Sequence, residues 1–212
     1  MLQTIIQILS KYNLEFFENN EQNSLLIKVI KEDLLVQDKI LFKNYLNNLL
    51  DRTLSFDPIL SIFDELYMNI CQHAKAVNSF CYVLYSPENK VIKLLFYDEA
   101  KKGIAKKIKD FFSDINFKTD SDCIEYSLNE KVTTRTFEYN QGRGLDNLRT
   151  IVESMNSELE IFSGNGKYEN RKKVISKTNS SEKIKGTIII VNLNCKNLDL
   201  KEESEYTNSL EF

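Results

Sequence analysis

The sequence predicts an α+β fold, and three observations carry that prediction. Two apolar runs rich in β-branched and aromatic residues, 80–85 and 91–97, flank Ser86-Pro87-Glu88-Asn89, which is the pattern of an antiparallel hairpin. Segments with the spacing of amphipathic helices lie on both sides of that hairpin. Helices grouped around paired antiparallel strands point to α+β rather than to a doubly wound parallel sheet.

Each element follows from local pattern. Thr4 to Phe17 places Ile5, Leu9, Tyr12 and Phe16 on one side, at spacings of four, three and four, and reads as a helix. Leu25-Leu26-Ile27-Lys28-Val29-Ile30 is a short apolar run of strand length. From Asp38 to Asp51 the periodicity is helical through Leu41, Tyr45 and Leu49. Pro58 stands near the first position of a further helix, about Asp57 to Ala76, where its missing N–H has no partner to lose. Ile104 to Ile115 is helical. Ser121 to Asn129 stays open, because Ile124, Tyr126 and Leu128 also alternate as a strand would. A polar stretch, Lys131 to Gln141, leads to Gly142-Arg143-Gly144 and a helix over Leu145 to Met155. Strands follow at Glu158 to Ser163 and Thr187 to Leu193. Between them lies a basic, polar insertion, Lys167 to Lys185, expected as a flexible hairpin or loop.

Composition narrows the function. The chain has 212 residues and a mass of 24.8 kDa, the size of one large domain or of one domain with an appendage. That length can bury a core without disulfides or metals. No run approaches the roughly 20 apolar residues of a membrane span, and Met1-Leu2-Gln3-Thr4 lacks the basic start of a signal peptide. Cys71, Cys81, Cys123 and Cys195 show no C-x-x-C pairing, so reduced thiols in a cytoplasmic protein are expected. A single histidine argues against zinc fingers, a Ser-His-Asp triad and two-histidine metal sites. A pI near 5.4 and a net charge of −3 give no global electrostatic reason to expect nucleic acid. The basic residues of the insertion read as a solvated loop before they read as a contact to nucleic acid or an acidic partner. The acidic end, Leu198 to Phe212, is expected to be loosely ordered. Only six residues are glycine, about 3% of the chain against a usual share of roughly 7%. Where they fall is therefore informative.

Four features can carry chemistry. Spacings of four put Glu65, Asn69 and His73 on one face of a helix whose other face is apolar. That stripe is either a solvated surface or the wall of a ligand site. Asp98 ends an apolar strand ahead of Gly103 and a helix, where a carboxylate can accept from a ligand amine or cap the helix. Gly142-Arg143-Gly144 opens a helix, which lets backbone N–H groups approach a phosphate, although a tight loop explains it equally. Gly186-Thr187 enters the last strand.

In this order, an E-x-x-x-N helix, a strand-end Asp with glycine, a G-x-G helix start and a final G-T strand, the features resemble the GHKL nucleotide-binding superfamily. Its Bergerat fold is shared by gyrase-type topoisomerases, heat-shock chaperone ATPases, mismatch-repair ATPases, sensor histidine kinases and anti-sigma-factor serine kinases. The resemblance covers roughly Leu25 to Asn194 and is nearest to small stand-alone bacterial domains. It implies a two-layer α/β sandwich, a mixed, mostly antiparallel sheet with helices on one face. The chain is then expected to divide into an N-terminal helical extension (1–24) outside the resemblance, an ATP-binding domain (25–195) and an acidic, flexible tail (196–212). By position, Asn69 would take magnesium and the phosphates, and Glu65 would orient and deprotonate water. Asp98 would accept the adenine amine, Gly103 would let the base lie against the backbone, and Thr187 would support it beside Asp98. Gly142, Arg143 and Gly144, continued by Leu145, would form the phosphate-facing end of the lid. A lid carrying Lys131 and Arg135 could hold phosphate in place of backbone contacts, or those side chains simply solvate a loop, and His73 either sits where members carry a basic or polar residue or is a helix-surface histidine with no duty. The second motif departs from the family's D-x-G-x-G, since Ala100 replaces the first glycine and Gly103 is displaced by one residue. Either Asp98 or Glu99 could then meet adenine, and the alternation of Leu94 and Phe96 favours Asp98.

The implied activity is ATP hydrolysis or γ-phosphoryl transfer to a serine or threonine of a protein partner, with ATP and Mg²⁺ as ligands. The alternatives are an ATP-gated interaction module with little turnover and a scaffold that no longer binds. The N-terminal helix is a candidate homodimer or partner contact, or simply a packing element.

Overall fold

Alternation of side chains along each strand sets the sheet. The computed structural model describes residues 10, 23–29, 32–74, 78–130, 132, 144–171 and 174–199. Within them five strands form one sheet: β1 (Ser24–Lys28), β2 (Ser79–Ser86), β3 (Val91–Asp98), β4 (Glu158–Arg171) and β5 (Val174–Asn194). The spatial order is β1-β2-β3-β5-β4 and every pairing is antiparallel. β2 and β3 form the hairpin that the sequence predicts, with Cys81 opposite Phe96 and Val83 opposite Leu94.

The sheet has two apolar faces. Leu94 and Phe96 of β3 and Ile189 and Val191 of β5 face a layer of helices. These are α1 (Leu35–Leu49), α2 (Asp57–Asn69), α3 (Ile104–Phe111), α4 (Asp120–Ser127) and α5 (Gly144–Ser154). All five add side chains to this first core cluster. Phe63 of α2 is its hub, with ring centroids 4.8 Å from Phe42 of α1, 5.6 Å from Tyr67 and 5.9 Å from Phe96. Among the described residues, the opposite face carries a second cluster of strand side chains, which includes Tyr82 and Leu84, Leu95 and Tyr97, and Ile188 and Ile190.

Local chemistry explains the helices. Pro58 stands in the first turn of α2, as its fixed φ predicts. α1 is tied to α2 by the Tyr67 hydroxyl, which donates to Asp38 Oδ2 at 2.6 Å, and by the ion pair of Lys39 with Asp64. Burial holds the Tyr67 phenol far above its ordinary range, so it remains a donor. α2 gives way to a π turn, Ile70–Ala74, within the helix expected to reach Ala76. α3 ends at Phe111, short of the expected Ile115. The segment left open between helix and strand is α4. Thr119 decides it: its hydroxyl accepts from Asp122 N–H (3.2 Å) while the Asp122 carboxylate accepts from Thr119 N–H (3.0 Å), a capping box.

The basic insertion is a regular β-hairpin rather than a loop. β4 and β5 stay paired from Gly166 opposite Asn179 to Arg171 opposite Val174, after register shifts at Ser163/Gly164 and Gly164/Gly166. Tyr168 is fully buried against the helix layer and anchors it. Gly164 (φ +62°) and Gly166 admit the start of α4, since a Cβ there would stand 2.3 Å from Asp120 Oδ2 and 2.4 Å from Ser121 N. Ion pairs engage the basic residues. Lys167 meets Glu160 (3.1 Å) and Glu169 (2.8 Å), and Arg171 meets the same two acids at 3.4 and 3.0 Å. Lys177 meets Asp122 (3.0 Å) and Glu125 (2.8 Å).

Of the expected N-terminal helix only Ser10 is described, and it is helical and exposed. Residues 131 and 133–143 and the tail beyond Asp199 also lie outside the described residues. The start of that tail packs onto the domain, because Leu198 is buried and Ser55 N–H donates to the Asp199 carbonyl at 2.8 Å. Among the described residues no helix is long and apolar enough to cross a membrane.

Candidate functional site

A polar row crosses one end of the sheet. The alternation that sends Cys81, Phe96, Ile189 and Ile161 into the helix layer brings Ser79, Asp98, Thr187 and Ser163 to the next position on four strands. They are neighbours by register: Ser79 opposite Asp98, Asp98 opposite Thr187, and Thr187 opposite Ser163. Ser79, Thr187 and Ser163 are at most 3% exposed.

Part of the row caps a helix. Gly103 precedes α3 and brings no side chain to its N-terminus. Hydroxyls from the sheet take over: Ile104 N–H donates to Thr187 Oγ1 and Ala105 N–H to Ser163 Oγ, both at 3.2 Å. The Ser163 hydroxyl in turn donates to the Gly186 carbonyl at 3.2 Å. Only glycine permits this approach. A Cβ on Gly103 would stand 2.0 Å from the Gly186 carbonyl oxygen, and one on Gly186 (φ +81°) 1.8 Å from that of Asp98. The hydrogen that replaces a side chain at Gly103 thus faces the protein's own backbone.

Asp98 is the half-buried acid of the row. Its Oδ1 accepts from Ala100 N–H at 3.0 Å. Burial raises its pKa against the opposing pull of the Ala100 N–H, the Lys107 charge and hydrogen bonds from Thr187. On α3, burial lowers the pKa of Lys107 while the Asp98 charge acts the other way. Each group is thus driven toward neutrality beside the other, a common condition of groups that bind or exchange protons. Glu99 turns to the surface, pairing with Lys185 Nζ (2.8 Å) and accepting from Asn78 Nδ2 (2.7 Å). Ala100 is buried, and among the described residues the positive-φ positions outside glycine are Lys90 and Asn156, so its backbone makes no demand for glycine. Ser79 Oγ is buried without a hydrogen-bond partner, a condition that costs about 1–3 kcal/mol. Next to Asp98 it offers an unused donor and acceptor to a ligand edge.

α2 supplies a second group. Asn69 Nδ2 donates to Glu65 Oε1 at 2.9 Å, as their spacing of four predicts. With the amide nitrogen committed, Asn69 Oδ1 is the atom left to meet a cation. The Phe63–Phe96 contact seats α2 over β3, and the chain leaving Asn69 reaches Ser79, the register partner of Asp98, ten residues later. Among the described residues no three His, Cys, Asp or Glu side chains gather as a metal cluster. An amide oxygen beside one carboxylate fits Mg²⁺, which keeps several waters and takes few protein ligands alongside phosphate.

The remaining expected residues divide by position. α5 lies beside α2, with Asn147 Nδ2 donating to Ser61 Oγ at 3.4 Å, and Leu145 is partly buried against the first core cluster. Gly144 is the first residue of α5. His73 lies in the π turn, but its side chain is outside the described residues, as are Arg135, Gly142 and Arg143. Ser79, Ser163 and Lys107 are members that motif reading does not pick out. A sequence signal for the two serines exists, since each is polar in the phase of a core-facing run. Comparison with protein-family models and with curated proteins finds no match for this chain.

Proposed function

We propose that this chain is a GHKL-type Mg²⁺-ATP-binding domain that hydrolyses ATP or transfers its γ-phosphoryl group to a serine or threonine of a protein partner, in the cytoplasm. One observation carries the reading. The row of buried Ser79 and Thr187 with half-buried Asp98 between them lies at the end of the sheet, on the face covered by the helix that pairs Glu65 with Asn69. In this reading Asp98 accepts from an exocyclic amine of the base, and the partnerless Ser79 hydroxyl meets an adjoining polar atom. Asn69 Oδ1 faces the cation, and Glu65 orients a water or hydroxyl and takes its proton. Arg135, Gly142 and Arg143 would approach the phosphates ahead of Gly144 and Leu145. Bound Mg²⁺-ATP would supply the transferable group and neutralise its charge.

A second reading, an ATP-gated interaction module with little turnover, is favoured by the hydrogen bond between Glu65 and Asn69, which gives the acid a positioning task of its own. Thermal unfolding with millimolar Mg²⁺-ATP separates the outcomes. A ligand at 100 times its Kd adds about 2.7 kcal/mol. Wild type is expected to be stabilised and Asn69→Ala not. Glu65→Ala is expected to keep the shift and lose release of labelled phosphate from γ-labelled ATP. No shift in wild type would remove the nucleotide reading, whereas equal turnover in wild type and Glu65→Ala would remove the catalytic role of Glu65, and no turnover in wild type would leave the gated module.

A further inference from the structure

The lysines around the start of α3 divide by face. Lys102 and Lys106 meet Asp110 at 2.9 and 2.6 Å, and both are exposed, as is Lys109. Lys107 is turned the other way: it is half-buried, and the charge of Asp98 acts on it. The sheet explains this orientation. α3 hangs from the polar row through Ile104 N–H on Thr187 Oγ1 and Ala105 N–H on Ser163 Oγ. Thr187 is the register partner of Asp98, and Lys107 closes the first turn of the helix with its N–H on the Gly103 carbonyl at 3.1 Å. Three residues on from Ile104, Lys107 shares the face of α3 that is tethered to Thr187. The groups around Asp98 therefore stand in a fixed order across the strands. Ser79 on β2 lies to one side of it, and Thr187 on β5, with the end of α3 that carries Lys107, lies to the other.

We propose, resting on the nucleotide reading above, that Lys107 is a specificity-determining residue of that site: its ammonium donates to the ring nitrogen on the β5 side of the amine that Asp98 accepts from. The exocyclic amine of adenine is flanked by N1 and N7, and both are acceptors. A carboxylate beside an ammonium matches amine and ring nitrogen together, and a charged donor makes the stronger contact. Ser79, partnerless and on the β2 side, is placed for the other nitrogen. Guanine inverts the pattern, since its O6 stands where the amine would be and brings an acceptor against the Asp98 carboxylate. Burial presses both Asp98 and Lys107 toward their neutral forms. A ligand edge with one donor and one acceptor supports the charged forms of both.

The test is a binding cycle on the full chain with Mg²⁺-ATP, 1-deaza-ATP and 7-deaza-ATP, which lack N1 and N7 respectively. Kd is read by calorimetry for wild type, Lys107→Met and Lys107→Ala. Met keeps the apolar stem and removes the charge, and Ala repeats the comparison without the stem. Wild type is expected to bind at least one analogue about tenfold or more weaker than ATP, the scale of a hydrogen bond to a charged group. In the variants ATP is expected to weaken by a similar factor and to bind no better than that analogue. A lysine that merely supports Asp98 would weaken ATP and both analogues alike. That outcome, or equal affinity of wild type for all three, overturns the proposal and leaves the nucleotide reading in place. No binding of ATP by wild type removes both.

Discussion

Asp98 is pulled in opposite directions by its surroundings. Burial favours its neutral form, whereas the Ala100 N–H, Lys107 and Thr187 favour the carboxylate, and burial prevails. The sign follows by linkage: a carboxyl raised above its usual 3.8 contributes stability that is complete below that value and is lost as pH climbs through its native value. Asp110, held low by Lys106, and Asp122, held low by Thr119, act in the reverse sense and lose stability as pH falls. Comparing wild type with Asp98→Asn isolates this acid. In urea unfolding at steps from pH 4 to pH 7, wild type should lose stability relative to the variant as pH rises. A difference that stays flat with pH would show that Asp98 titrates normally.

At the scale of the element, α4 shows how a cap settles an ambiguous period. Ile124, Tyr126 and Leu128 satisfy strand alternation, yet the Thr119–Asp122 capping box commits the segment to a helix. Thr119→Ala should cost about 1 kcal/mol, read as a lower urea midpoint with an unchanged slope. An unchanged midpoint would mean that packing against β4, not the cap, holds α4. That signal, a threonine three residues before an acid, is printed in the sequence, as are the β2–β3 hairpin and the Glu65–Asn69 pair, because each is local. The β4–β5 hairpin is not legible in the same way. Its polar residues resemble a loop until Tyr168 finds the helix layer and Lys167, Arg171 and Lys177 find acids elsewhere in the fold. The polar row behaves likewise: each member is readable alone, but only strand register makes Ser79, Asp98, Thr187 and Ser163 neighbours.

Across the whole molecule, Phe63 joins α1, α2 and β3 through three ring contacts and is fully buried. Phe63→Ala should cost about 3–5 kcal/mol, and a domain of this size loses roughly 2–4 °C of Tm per kcal/mol. A Tm within a degree or two of wild type in calorimetry would mean that the helix layer closes over the cavity. Among the described residues the sheet ends at β1 and β4, and a strand at the rim is a template on which another chain can add. Along β4 the backbone N–H of Asn165 is already taken by Asp120, and Glu160, Lys167, Glu169 and Arg171 line the strand with charge. An incoming strand would have to strip water from those charges to pair there, so the salt ladder that pins the hairpin also opposes the addition of another copy along this rim.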